Sequence, residues 1–81
     1  MTTKIVMYTK NDCPNCKRAK FMLQYCPIEV ELIERNIEEF EGHKTELEFV
    51  LESTTLPTFY FENGTIVRGF EEGKIMNELG L

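Results

Sequence analysis

Apolar residues run without a break through Ile5-Val6-Met7-Tyr8, and after that the pattern opens out. A short continuous run of this kind fits a strand covered on both faces, at the centre of a sheet. Farther on, Cys16, Ala19, Leu23 and Cys26 recur at helical spacing with Met22 on the flank, while Lys17, Arg18, Lys20 and Gln24 fall elsewhere on the wheel. That spacing predicts a helix from about Pro14 to Tyr25. Pro27 ends it, because proline has no N–H for the helical ladder. Ile28, Val30 and Leu32 then alternate with Glu29 and Glu31, as in a strand with one wet face at the edge of a sheet.

Asn36 followed by Glu39 resembles a helix-capping signature, and Phe40, Lys44, Leu47 and Leu51 form a stripe that carries a second helix through Glu52, interrupted at Gly42. Its glutamates, Glu38, Glu39, Glu41, Glu46, Glu48 and Glu52, read as a solvated face. Thr58-Phe59-Tyr60-Phe61 and Thr65-Ile66-Val67-Arg68 flank Glu62-Asn63-Gly64, and Asn-Gly is a strong hairpin signal, so these two strands should be antiparallel. A short helix from Glu71 to Leu79 closes the chain, with first-turn acids suited to the helix dipole and with Ile75, Met76 and Leu79 inward. The predicted order is βαβαββα. One βαβ unit followed by a hairpin and a last helix gives an α/β fold: a four-stranded mixed sheet with helices on both faces, as a single domain over residues 1–81. No repeat, linker or low-complexity segment interrupts it.

Composition agrees with one small domain. Apolar content is 42%, and six Phe and three Tyr supply much of what so short a chain can bury. The formal net charge of −5 argues against nucleic acid or an anionic membrane as partner. The apolar run behind Met1-Thr2-Thr3-Lys4 is too short for a signal-peptide core, and no stretch is long enough to span a bilayer, so the chain reads as cytoplasmic. In that compartment thiols are kept reduced, and a close cysteine pair points to catalysis more than to a structural bridge.

The chemistry sits in Cys13-Pro14-Asn15-Cys16, where the first strand gives way to the first helix. A residue at a helix start faces unpaired backbone N–H groups, whose partial positive charge stabilises a thiolate. Cys13 is therefore the expected nucleophile. Cys16, one turn on and on the same side, is the expected resolving thiol, sitting deeper. Pro14 suits the first helical position, where its missing N–H costs nothing. Asp12, next to the nucleophile, is expected to cap the helix and point outward. Two other readings of the pair stay open. It can be half of a zinc site, for which the remaining ligands would be Cys26 and His43, although these do not form a second close pair. It can also be a static disulfide, although so small a loop gives a weak staple. Cys26 itself reads as a small buried hydrophobe.

The element order, Tyr8-Thr9-Lys10 ahead of Cys13-Pro14-Asn15-Cys16, then Arg18-Ala19-Lys20 and later Thr55-Leu56-Pro57, resembles the glutaredoxins, the smallest form of the thioredoxin fold. The likeness covers essentially the whole chain. It implies a thioredoxin fold in which Pro57 is cis and lies against the active cysteines, while Thr55 and Leu56 offer backbone to an extended peptide or to glutathione. It also implies that Lys10 favours the Cys13 thiolate and meets a glutathione carboxylate, and that Arg68, Gly69, Phe70 and Glu71 bound the γ-glutamyl end. Arg68 stands where the family usually has a glycine, Glu71 and Glu72 stand for its aspartates, and Asn15 replaces an aromatic residue. Lys17, Arg18 and Lys20 make the helix basic, either for solubility or to hold anionic partners near the thiolate.

The activity implied is that of a small dithiol oxidoreductase acting as a monomer on disulfide-containing proteins. It would carry no bound cofactor, with glutathione as co-substrate and with glutathione or thioredoxin reductase as the source of electrons. Gly69-Phe70 with Ile75 is similar also to NrdH-type redoxins, which are reduced by thioredoxin reductase and serve ribonucleotide reductase. A reading of another class is an iron–sulfur or zinc module built on Cys13.

Overall fold

The first strand, β1 (Thr3–Thr9), lies inside a four-stranded sheet of order β2-β1-β3-β4 in the computed structural model, which describes residues 3–81. Met1 and Thr2, included in the single-domain reading, lie outside the described residues. β1 runs parallel to β2 (Val30–Asn36), from Thr3 opposite Val30 to Thr9 opposite Asn36. It runs antiparallel to β3 (Thr58–Phe61), which in turn pairs with β4 (Ile66–Arg68). The central position expected for β1 and the edge position expected for β2 are both found.

Alternation along β1 divides the core. Ile5 and Met7 join Phe59, Phe61 and Val67 beneath α1 (Pro14–Tyr25), through its Cys16, Ala19 and Leu23, and beneath α3 (Glu72–Glu78), through Ile75 and the following Leu79. Val6 and Tyr8 point the other way, to a smaller cluster with Leu47, Leu51 and Ile66 under the second helical segment. Burial of side chains such as Phe59 and Ile5, both fully enclosed, contributes about 1.5 to 3 kcal/mol each.

Two boundaries differ from the sequence reading. β2 starts at Val30 and continues to Asn36, where alternation had suggested a strand over Ile28–Leu32. Its extent is set by pairing with all of β1, which polar residues such as Glu34 and Asn36 join because the backbone ladder does not need apolar side chains. The second helix, α2, begins at Glu41, well after Asn36. Asn36 ends β2, and its side-chain oxygen accepts the N–H of Glu38 at 2.8 Å, a local turn that competes with capping. Phe40 takes the cap position without a side-chain bond, its ring lying over Gly42, where a Cβ would collide with it. After Thr45 the helix widens into a π-helical turn (Glu46–Val50), closed by Leu51 N–H donating to Glu46 C=O at 3.2 Å. Of the expected stripe, Leu47 and Leu51 are buried, whereas Phe40 and Lys44 are exposed.

The hairpin follows the Asn-Gly signal. Gly64 has φ +90°, Thr65 N–H donates to the Asn63 side chain, and Phe61 N–H donates to Thr65 C=O at 2.9 Å.

Candidate active site

β1 delivers the chain to a turn at Asn11 and Asp12 that leads straight into α1. Asp12 sits at φ +53°, a left-handed conformation that aspartate tolerates better than most residues. Cys13 returns to extended backbone and is itself the N-cap of α1: its Sγ accepts the N–H of Cys16 at 3.2 Å and its carbonyl accepts the N–H of Lys17 at 3.1 Å. This corrects the expectation that Asp12 caps the helix. Asp12 is exposed as expected, but the positive φ carries it one place outside the cap, and the donor it would have satisfied goes to sulfur. Pro14 occupies the first turn as expected.

Cys13 and Cys16 are joined by a disulfide, with their Cα atoms 5.2 Å apart. Cys13 is 5% exposed and Cys16 3%, so the difference in depth is small. Both line a cavity of about 320 Å³ with three cations, Lys10, Lys17 and Lys20, facing three carboxylates, Asp12, Glu34 and Glu39. Glu34 is the residue that sequence reasoning missed. Its carboxylate accepts the Thr9 hydroxyl at 2.7 Å and the Lys20 ammonium at 3.1 Å. Burial pushes this carboxyl up, but the bonds from Thr9 and Lys20 outweigh it and hold Glu34 below the usual carboxylate range. The available signal was the parallel register, which sets Glu34 opposite Met7 and so on the thiol-bearing face of the sheet.

The second half of the chain brings a loop to the same region. The Leu56–Pro57 peptide is cis, Pro57 is buried, and its carbonyl accepts the N–H of Gly69 at 2.8 Å. Gly69 has φ +87°, and a Cβ there would stand 3.3 Å from the Thr55 methyl, so the two segments pass closely. Leu56 and Phe70 pack against the cluster that contains both cysteines. Among the described residues neither the N–H nor the C=O of Leu56 has a hydrogen-bond partner, which leaves both free for an extended ligand backbone.

Two other expected site residues are engaged elsewhere: Glu71 pairs with Lys74 at 3.1 Å, and the Arg68 guanidinium donates to the carbonyl of Leu51 at 2.8 Å, on the opposite face of the sheet. Cys26 is turned to the carbonyls of Leu23 and Ile28, and His43 Nδ1 lies 3.3 Å from Asn36 C=O. Among the described residues no three His, Cys, Asp or Glu side chains gather as a metal-ligand group, and no helix is long and apolar enough to cross a membrane.

Comparison with known proteins places this geometry. The glutaredoxin family model matches residues 5–67. The crystal structure of the thioredoxin-like protein BC3987 is 27% identical and superimposes with a TM-score of 0.81 over 90% of this chain and 96% of that one. A glutaredoxin from Archaeoglobus fulgidus is 26% identical, with a TM-score of 0.71 over 95% of this chain and 86% of its own. A glutaredoxin from Methanosarcina mazei Go1, 23% identical, shares the fold, with a TM-score of 0.77 over 96% of this chain and 79% of its own. No curated protein sequence matches. The architecture is the thioredoxin fold that the resemblance implied.

Proposed function

We propose that this chain, which belongs to the glutaredoxin family, is a thiol–disulfide oxidoreductase that reduces protein disulfides and glutathione mixed disulfides through Cys13 and Cys16. The observation that carries the reading is the cap geometry: the Cys16 N–H already points at Cys13 Sγ, where it stabilises negative charge on sulfur.

In the reduced protein the Cys13 thiolate attacks one sulfur of the substrate disulfide. That S–S bond breaks, a Cys13–substrate mixed disulfide forms, and the first leaving thiolate takes up a proton. Cys16, deprotonated, then attacks Cys13 Sγ, expels the second substrate thiolate and closes the Cys13–Cys16 bridge, so two electrons pass to the substrate. Two molecules of glutathione, or a flavoprotein reductase, return them. Lys10 supplies positive charge beside the leaving and attacking sulfurs, and Thr55, Leu56 and Pro57 form the rest against which the substrate backbone lies. Gly69, Phe70 and Glu71 bound the far end of a glutathionyl group. The cytoplasm, where reductants of this kind are kept, is the compartment the reading fits, and no resident cofactor enters any step.

A second reading is favoured by one observation. Arg68, the sole cation of residues 68–72, is turned to Leu51, and Glu71 and Glu72 lie at the start of α3. That leaves few donors for a γ-glutamyl carboxylate and favours an NrdH-like redoxin reduced by thioredoxin reductase, with ribonucleotide reductase as its oxidant. Oxidised protein incubated with glutathione, glutathione reductase and NADPH, and separately with thioredoxin reductase and NADPH, distinguishes them by which mixture consumes NADPH. Consumption in neither would overturn the oxidoreductase reading.

A further inference from the structure

Positive charge in this acidic chain is unevenly spent. Lys20, Arg35 and Lys74 sit in ion pairs, and Arg68 is bound to a carbonyl. Among the described residues Lys4, Lys10, Lys17, Arg18 and Lys44 have no carboxylate partner, and of these Lys10 and Lys17 line the thiol cavity, with Arg18 next along α1. A net charge of −5 therefore coexists with three unpaired cations, Lys10, Lys17 and Arg18, at or beside the reactive end.

Beside the thiol cavity lies a larger one of about 500 Å³, between α1 and the start of α3. Its floor is apolar, made by Phe21, Met22 and Phe70, and its rim carries Lys17 and Arg18 on one side and Glu72 on the other. Lys17 lines both cavities, so the groove adjoins the thiol cavity at that side chain. Phe21 is 66% exposed and packs against Tyr25, 68% exposed, with the rings tilted and their centroids 4.6 Å apart. Two large aromatic rings left in water on a helix that already buries its other face add nothing to the core, and aromatic side chains beside arginine are the residues that anchor protein interfaces.

The geometry points to this groove as the docking surface for an acidic segment of the disulfide-bearing protein substrate. The segment lies across α1 with its carboxylates at Lys17 and Arg18 and one large apolar side chain between Phe21 and Phe70, which brings its cystine to Cys13. Glu72 repels carboxylates from the α3 side and so fixes the direction of the chain. The inference rests on the oxidoreductase reading and names its substrate class.

The test uses peptide disulfides with one leucine near the cystine, whose flanking residues are acidic, neutral or basic, alongside the small neutral disulfide of 2-mercaptoethanol. Wild type should reduce the acidic peptide with a kcat/KM about fivefold or more above the neutral one, and salt should erase the difference. Arg18→Glu should remove that advantage, and Phe21→Ala should lower turnover of all three leucine-bearing peptides, while in both variants the small disulfide turns over as before. Equal rates on the three peptides, or an acidic preference that survives Arg18→Glu, would overturn the proposal. Binding of the acidic peptide to Cys13→Ser protein, followed by fluorescence anisotropy, reads the groove without the redox step. Binding there without turnover by wild type refutes the oxidoreductase reading and leaves the groove, whereas turnover without preferential binding refutes the groove alone.

Discussion

The backbone N–H of Cys16 donates to the sulfur of Cys13 at 3.2 Å, so the pair is linked by a hydrogen bond as well as by the disulfide. On reduction the same N–H is expected to stay aimed at Cys13, and the start of α1 favours a thiolate there, while Cys16 lies within the first turn and has no such donor. In the reduced native protein Cys13 should therefore be alkylated first, and alkylation should already be rapid below the free-thiol range of about 8.5. The measurement is rate against pH with the modified residue identified by peptide mass. Labelling of Cys16 ahead of Cys13 would reverse the roles.

The single cysteine variants should differ in kind. Cys13→Ser removes the sulfur at the N-cap of α1 and should abolish disulfide reduction. Cys16→Ser keeps the attacking thiolate but cannot resolve the intermediate, so a mixed disulfide on Cys13 should accumulate and appear as a mass increase equal to the bound thiol. With glutathione present it should still turn over glutathionylated small thiols. Equal residual activity in the two variants contradicts the mechanism.

On the far face, Tyr8 donates to Glu46 at 2.6 Å and accepts from Arg35 at 3.2 Å, while Arg35 and Glu46 form an ion pair. Burial and the bond to Glu46 push the Tyr8 phenol up to about 12, and the bond from Tyr8 leads the causes that hold Glu46 below its usual range. For Tyr8 the folded state holds the proton more tightly, so its contribution is complete below an unfolded value of about 10 and is lost as pH rises toward 12. For Glu46 the contribution is present above the ordinary carboxylate range and is lost as pH falls through it. Tyr8→Phe should lower stability near neutrality by about 1 kcal/mol and flatten both limbs of the stability–pH curve. Urea unfolding across pH, with ultraviolet titration of tyrosinate, checks this. An unchanged alkaline limb in Tyr8→Phe would show that the phenol is not the group responsible.

Where sequence and structure agree, the signal was local. Ile5 to Tyr8 reads as a central strand because both its faces are covered, and Pro14 and Pro27 bracket α1 through the proline ring itself. Cys13 stands at the helix start that spacing located. What escaped depends on contacts distant in sequence. Glu34 became part of the thiol cavity through strand register and through Thr9 and Lys20, none of which its neighbours Leu32 or Asn36 announce. Asn36 carries a cap-like motif, yet pairing of β2 with β1 claims its backbone first. Phe21 and Tyr25 fall outside the helical stripe of Cys16, Ala19, Leu23 and Cys26, and the packing of α1 leaves both exposed, although the aromatic total had counted toward burial.

Arg68 gives the last prediction, because family resemblance and geometry assign it different work. By position it falls beside Gly69, at the end expected to receive glutathione, but strand alternation places it on the Leu51 side, opposite to Val67, which faces the thiol-bearing cluster. Its guanidinium meets the carbonyl of Leu51 where the π-helical turn ends, and a cation at a helix C-terminus is favourable both as a donor and through the dipole. Arg68→Met keeps the aliphatic stem and removes only the donor, so it should cost about 1 kcal/mol of stability, discounted for exposure from the larger value of a buried charged bond. Arg68→Gly adds the entropy of glycine in a strand and should cost about 0.5 to 1 kcal/mol more. Turnover of a mixed disulfide between glutathione and 2-mercaptoethanol should be unchanged in Arg68→Met at a temperature where it is fully folded. A fall in that turnover with no loss of stability would instead mean that Arg68 leaves Leu51 and takes the glutathionyl carboxylate.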